Sequence, residues 1–204
     1  MLTCEEFFLI ACDPRSGRLD WPHAQEPDRL AAAALVLDLA ESGRLHWRDG
    51  LLHAVADFPI THPLLSRAMH LLAPWDLSAA EALPLLAEDM APLSARLLDG
   101  LFRRDLLHRI ESRDWLLRKR VRYPLRSMQA RNEALTHLRA AAHADGMHGL
   151  ALLLLVDQTG LLATHLQARD HEQAMQRLLA LNAPAAQVPE SSRLVAALRD
   201  TLLA

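Results

Sequence analysis

The sequence is poor in several residue types, and each shortage excludes a class of protein. Its 204 residues include a single lysine, a single tyrosine, seven glycines and two cysteines, Cys4 and Cys12. Two cysteines in an apolar opening segment do not make a disulfide framework, and we expect them to be core thiols in a reducing compartment. The first ten residues contain two glutamates and no basic residue, unlike a secretory signal. We therefore expect a cytoplasmic protein.

Long apolar runs are also absent. The uninterrupted apolar runs, such as residues 30–37 and residues 150–156, are at most eight residues long, whereas a membrane-spanning helix needs about 20 apolar residues. Any membrane association is therefore expected to be peripheral, on the cytoplasmic face. Leucine and alanine dominate, aromatic residues make up only 4%, and apolar positions recur at steps of three and four. This pattern predicts an all-α fold, a compact multi-helix arrangement in one domain that spans residues 1–204.

Motifs of the common enzyme classes are missing. We find no serine nucleophile elbow, no phosphate-cradling glycine loop and no paired-cysteine metal site. The 11 histidines include His137, His143 and His148, whose spacings of six and five do not form the i, i+4 pair of a helical zinc site. The sequence therefore predicts no catalytic residue, no metal and no cofactor, and we expect a protein that is not an enzyme.

The main positive feature is a basic stretch at residues 103–131. It contains ten of the 22 basic residues and only three acids, which leaves 12 basic and 22 acidic residues in the rest of the chain. Such an asymmetry is typical of a surface that faces an anionic partner. Solvated arginines on helix faces would give the same composition.

Local signals predict where several elements begin and end. We expect a capping box from Thr3 and Glu6 at the first helix, and a left-handed glycine at Gly43 after the second. Asp49-Gly50 predicts a small hairpin at about residues 44–55. Further expected elements are a helix from His62-Pro63 to Leu72, short helices separated by Pro74, Pro84 and Pro92, and a continuous helix at 91–104.

A second, basic hairpin is predicted at about residues 106–123, with its turn at 111–114. Alternation along its second strand places Arg118, Arg120 and Arg122 on one face. Together with Arg113 and Trp115, these side chains are candidate contacts to an anionic leaflet, where each cation contributes on the order of 1 kcal/mol. The open edges of such a hairpin also favour pairing with a second copy of the chain.

Nucleic acid is the alternative anionic partner, because a basic hairpin beside a helix can act as a wing. The net charge of −3 and the lack of a basic recognition helix argue against it.

Four segments in order resemble the Golgi phosphoprotein 3 family. They are LTCEEFFLIACDPRSGRL at 2–19, LDLAESGRL at 37–45, DFPITHPLLSRAM at 57–69, and YPLR at 123–126 after the hairpin, within a resemblance over residues 2–181. The resemblance implies a helical core with a protruding hairpin, no catalytic activity, and peripheral recognition of phosphatidylinositol 4-phosphate. In eukaryotic members the hairpin also contributes to self-association. The chain begins almost at the first core helix, so we expect a bacterial-type member without the coat-binding tail.

The resemblance also implies candidate headgroup residues. The family has a tryptophan before the second helix, to which Trp21 corresponds, and an arginine near the start of that helix, which falls on Ala32 with Arg29 one turn earlier. A pair of family arginines falls on Ala91 and Ser94, beside Arg96. Trp21, Arg29 and Arg96 are thus the expected remnant of that pocket. The alternative interpretation is a scaffold for protein interactions that has lost lipid binding.

Overall fold

The computed structural model describes residues 1–19, 21–23, 25–55, 59–113, 119–183 and 187–204. Within these ranges the fold is mostly helical with two small antiparallel hairpins, which confirms the predicted class. None of the described helices combines the length and the apolar character needed to cross a membrane. The elements are α1 Thr3–Ala11, α2 Pro27–Glu41, β1 Leu45–Arg48, β2 Leu51–Ala54, α3 Pro63–Leu72, α4 Ala79–Asp89, α5 Leu93–Arg103, β3 Ile110–Arg113, β4 Lys119–Arg122, α6 Met128–Ala141, α7 Met147–Gln158, α8 Leu162–His165, α9 Ala168–Ala180 and α10 Glu190–Leu203.

Helix α1 lies at the centre of the fold. It packs against α2, α5, α6 and α7, and every one of its residues is buried. Helix α2 is similarly enclosed over residues 30–39. Because water cannot reach such helices, the polar groups they contain must find partners within the protein.

The start of α1 shows how this requirement is met. The predicted capping box of Thr3 and Glu6 is wrong by one residue, since it is the carboxylate of Glu5 that accepts from the N–H of Leu2, at 3.2 Å. Asp38 of α2 accepts from the N–H groups of Thr3, at 2.7 Å, and Cys4, at 3.0 Å. A buried helix start is thus satisfied by a neighbouring helix, a contact that local sequence does not encode.

The first hairpin forms as predicted. Gly43 has a φ of 69° just beyond α2, and the N–H of Arg44 reaches back to the carbonyl of Leu39 at 2.8 Å. Asp49 and Gly50, both with positive φ, form the turn between β1 and β2.

Two other expectations need correction. Helix α4 continues through Pro84, whose exposed ring faces solvent while Leu83 and Leu86 on the opposite side are buried. Core packing on that side outweighs the loss of one backbone hydrogen bond. The predicted turn at 111–114 is also wrong, because Glu111 pairs with Val121 and Arg113 pairs with Lys119. The connection between the strands lies at 114–118, outside the described residues.

Candidate functional site

A groove of about 680 Å³ lies between the β3–β4 hairpin and α5, and residues 17–19 close its third side. Four arginines line it, Arg18, Arg109, Arg120 and Arg122, and they face one carboxylate, that of Asp99. The groove therefore carries an excess of positive charge in a concave surface, which concentrates anions.

The base of the groove depends on a close contact between two backbone segments. The N–H of Tyr123 donates to the carbonyl of Gly17 at 2.9 Å, and the N–H of Leu125 donates to that of Pro14 at 3.1 Å. Gly17 has a φ of 67°, and a Cβ added to it would lie 2.2 Å from the nitrogen of Pro124. Only glycine permits this approach, which holds Arg18 beside the hairpin.

Arg109 is fixed by two carboxylates. Its Nε lies 3.3 Å from Oδ1 of Asp99 and its Nη2 lies 2.8 Å from Oε1 of Glu111. The hydroxyl of Tyr123 donates to the same Asp99 oxygen at 2.8 Å. Burial, together with Asp99, raises the pKa of Tyr123 to about 12, so the phenol remains a donor at neutral pH. Asp99 is therefore engaged by Arg109 and Tyr123 together.

Arg122 differs in having an unsatisfied donor. Its Nε is buried and has no hydrogen-bond acceptor among the described residues. In the register of the hairpin, Arg122 lies opposite Ile110 and Arg120 lies opposite Ser112, so both arginines project from one face, as the alternation predicted. A buried N–H without an acceptor is costly. Buried Nε atoms without an acceptor also occur at Arg29, Arg131 and Arg199, but of these arginines only Arg122 lines the groove.

Another groove, of about 690 Å³, lies between the first hairpin and α10. Its lining includes Arg48 and Arg193 but also Asp49 and Asp200, so the charges balance. The groove beside the second hairpin is thus the better candidate for an anionic ligand.

A family model described as Golgi phosphoprotein 3 (GPP34) matches residues 4–201. The chain belongs to the Golgi phosphoprotein 3 family. The match covers both hairpins and nearly the whole helical core, in agreement with the resemblance seen in the sequence. A comparison with curated proteins finds no match.

The three candidate headgroup residues of the Golgi phosphoprotein 3 resemblance are each bonded to the chain's own carbonyls. Trp21 packs on Phe7, with 6.1 Å between ring centroids, and donates to the carbonyl of Gln25 at 3.3 Å. Arg29 donates to the carbonyl of Thr201, near the end of α10. Arg96 is exposed and donates to the carbonyl of Ala91 at 3.0 Å. None of the three lines the hairpin groove.

The start of α5, where the family has its arginine pair, holds a carboxylate in this member. Asp28 accepts from the N–H of Leu93 at 3.0 Å, from the N–H of Ser94 at 2.8 Å, and from the Ser94 hydroxyl. Ala32, the remaining family position, is fully buried in α2. A negative side chain already occupies the helix terminus that would otherwise attract an anion. This arrangement favours the neighbouring groove as the place for an anionic ligand.

The remaining hairpin candidates divide between described and undescribed positions. Arg113 is exposed, on the face of the hairpin opposite to Arg120. Trp115 and Arg118 lie outside the described residues.

Sequence reasoning missed two lining residues, Arg18 and Arg109. Arg109 belongs to the basic stretch and directly precedes β3, so its position was a usable signal. Arg18 carried no such signal, because its place depends on the contact of Gly17 with Tyr123, more than 100 residues later in the chain.

Proposed function

We propose that the protein is a peripheral membrane protein that binds the headgroup of an anionic phospholipid in the groove beside the second hairpin. Phosphatidylinositol 4-phosphate is the headgroup that the family resemblance implies. The observation that carries the proposal is the convergence of Arg18, Arg109, Arg120 and Arg122 on one groove, with the Nε of Arg122 lacking an acceptor within the described part of the chain.

The chemistry of the groove suits a phosphate ester. Guanidinium groups form paired, charge-assisted hydrogen bonds to phosphate oxygens, and their planar shape also fixes the orientation of the ligand. Arg109 is held rigid by Asp99 and Glu111, so little side-chain freedom is lost on binding. Among the residues that line the groove, four arginines stand against the single carboxylate of Asp99, which supports attraction of an anionic headgroup.

Exposed side chains of the hairpin support contact with the leaflet itself. Ile110 is 42% exposed on the face that carries Arg120 and Arg122, and Arg113 is exposed on the opposite face, so an apolar and a cationic side chain are both available. Each cation near an anionic leaflet adds on the order of 1 kcal/mol. The binding that results is weak and reversible unless the groove also holds a headgroup.

Self-association through the same hairpin is a compatible second proposal. In the described ranges β3 and β4 pair only with each other, so each strand has an outer edge able to pair with a second copy. The molar mass of the protein in solution, measured with and without detergent micelles that mimic a membrane, tests this proposal. A monomer under both conditions would contradict it.

Co-sedimentation with vesicles tests the lipid proposal. We would compare neutral vesicles, vesicles with phosphatidylinositol 4-phosphate, and vesicles with an equal charge of phosphatidylserine. Arg120→Glu should reduce pelleting at least about tenfold, because it removes one attractive contact and adds a repulsive one. Arg169→Glu, an exposed position on α9, makes the same change of charge away from the groove and is the matched control.

The pattern across vesicles separates the possible ligands. Preference for the phosphoinositide over the serine lipid supports a headgroup site in the groove. Equal pelleting on both would contradict that site and leave only electrostatic contact by the hairpin. No pelleting at all would overturn the proposal in favour of a protein-interaction scaffold, and tighter binding to duplex DNA than to any vesicle would overturn it in favour of nucleic acid.

A further inference from the structure

Three side chains, one each from α1, α6 and α7, lie close together. Oε1 of Glu6 on α1 lies 2.9 Å from Nδ1 of His137 on α6, and Oε2 lies 3.2 Å from Nε2 of His148 on α7. One ligand atom from each of the three residues lies within 4.8 Å of the others. His137 and His148 stand on different helices, so their spacing in the sequence does not test whether they share a site.

The centre of this cluster demands positive charge. The Glu6 side chain is only 1% exposed. Each of its two oxygens lies within hydrogen-bonding distance of an imidazole nitrogen, so a protonated imidazole or a metal ion can be held against this buried carboxylate.

A second carboxylate orients His148. Its Nδ1 lies 3.0 Å from Oε2 of Glu41 and 3.0 Å from Oγ1 of Thr3, while its Nε2 points to Glu6. Histidines that bind metals almost always donate their other ring N–H to a carboxylate, a carbonyl or water, which fixes the tautomer. His148 has this arrangement at Nδ1, so Nε2, which contacts Glu6, is the atom that would bind a metal ion.

The surroundings leave space for an ion and for solvent. A cavity of about 360 Å³ is lined by Glu6, His137 and His148 together. Helices α6 and α7 approach closely at Gly149, where an added Cβ would lie 3.0 Å from the Cβ of Ala141. This contact brings the two histidines near enough to share one ligand.

We propose that Glu6, His137 and His148 form a binding site for a divalent transition metal ion of the zinc type, with water completing the coordination. Two imidazoles and one carboxylate are a common zinc ligand set, and bonds of about 2.0 to 2.2 Å place tetrahedral ligand atoms about 3.3 to 3.6 Å apart. The two histidine nitrogens lie 2.9 and 3.2 Å from different oxygens of Glu6, and one ligand atom of each residue lies within 4.8 Å of the others, so small side-chain movements reach that spacing. The ion would join α1, α6 and α7, and the site is independent of the lipid proposal.

Both ring nitrogens of His148 lie at hydrogen-bonding distance from a carboxylate, Nδ1 from Glu41 and Nε2 from Glu6, so a metal ion that binds at Nε2 displaces the proton between Nε2 and Glu6. Zinc displaces protons from its ligands routinely, so proton release should accompany binding. A titration at pH 8 reduces this competition.

The test is a zinc titration of metal-free protein without a polyhistidine tag, in competition with a chromophoric chelator. Wild type should bind one equivalent, and His137→Ala should weaken binding at least about tenfold through loss of one ligand. His137 is 54% exposed, so the variant should fold. His143→Ala is the matched control, since His143 is 49% exposed and is paired with Asp170 at 2.8 Å elsewhere on the surface.

Cobalt provides a readout of geometry. Co²⁺ in the wild-type site should give the intense visible absorption of a four-coordinate ion, and His137→Ala should lose it. His148→Ala should behave likewise, provided that circular dichroism shows it folded. Absence of stoichiometric zinc binding would overturn the proposal, as would wild-type affinity in His137→Ala or equal losses in His137→Ala and His143→Ala.

Discussion

At the scale of single residues, buried carboxylates organise the centre of the fold. Asp38, Glu5 and Glu6 are at most 5% exposed, and each contacts a donor from a distant part of the chain. Burial raises the pKa of Asp38, while its hydrogen bonds to Thr3 and Cys4 act in the opposite direction. These carboxylates take the place of water as hydrogen-bond partners for donor groups that solvent cannot reach.

Replacing Asp38 should therefore be costly. Asp38→Ala leaves two buried N–H groups of α1 without acceptors, and we expect the free energy of unfolding to fall by about 3 kcal/mol. Urea denaturation followed by circular dichroism measures the change. Asp89→Ala, at an exposed position on α4, should shift stability by less than about 0.5 kcal/mol. Equal stability of the two variants would contradict the role given to Asp38.

At the scale of elements, the sequence correctly predicted the turns and helix ends that interactions between neighbouring residues determine. The Asp49-Gly50 turn, the glycine after α2 and the helix at Pro63 are each fixed within a few residues, and the structure confirms them. Continuation of α4 through Pro84 depends on core packing, and the register of β3 with β4 depends on cross-strand pairing. Neither is encoded locally, so both were predicted wrongly.

Gly17 connects two of these elements, and its substitution tests the connection. Gly17→Ala and Gly50→Ala both put a side chain at positive φ, which costs about 1 to 2 kcal/mol. Only the Cβ at Gly17 would overlap backbone, 2.2 Å from the nitrogen of Pro124. We expect Gly17→Ala to lose at least about 2 kcal/mol more in urea denaturation.

The same pair of variants reports on the groove. Gly17→Ala should also weaken vesicle binding, because the segment carrying Arg18 is pushed from the hairpin, whereas Gly50→Ala should bind as wild type. Wild-type binding by a folded Gly17→Ala protein would show that the base of the groove does not matter for the lipid.

At the scale of the whole molecule, the charge asymmetry of the sequence overstates the basic surface. Several arginines of the basic stretch serve internal contacts: Arg104 pairs with buried Glu5, and Arg126 lies 2.5 Å from Asp105. Arg109 has both roles, since it lines the groove and is shared between Asp99 and Glu111. Composition predicted that the protein faces an anion, but only the fold shows which arginines make internal contacts and which line the groove.

Salt should separate the two modes of membrane contact. The Debye length falls from about 10 Å at 0.1 M salt to about 3 Å at 1 M, so contacts between the exposed hairpin and a leaflet should weaken strongly. Arginines that enclose a phosphate in the groove are screened less, because the partners are in direct contact and partly desolvated. Pelleting on phosphatidylserine vesicles should therefore disappear as sodium chloride rises, while a phosphoinositide-specific fraction persists. Circular dichroism at the highest salt checks that the helices remain folded. Identical salt curves for the two lipids would show that the groove adds no recognition of its own, and salt-independent pelleting on both would assign the binding to apolar insertion at Ile110 rather than to the arginines.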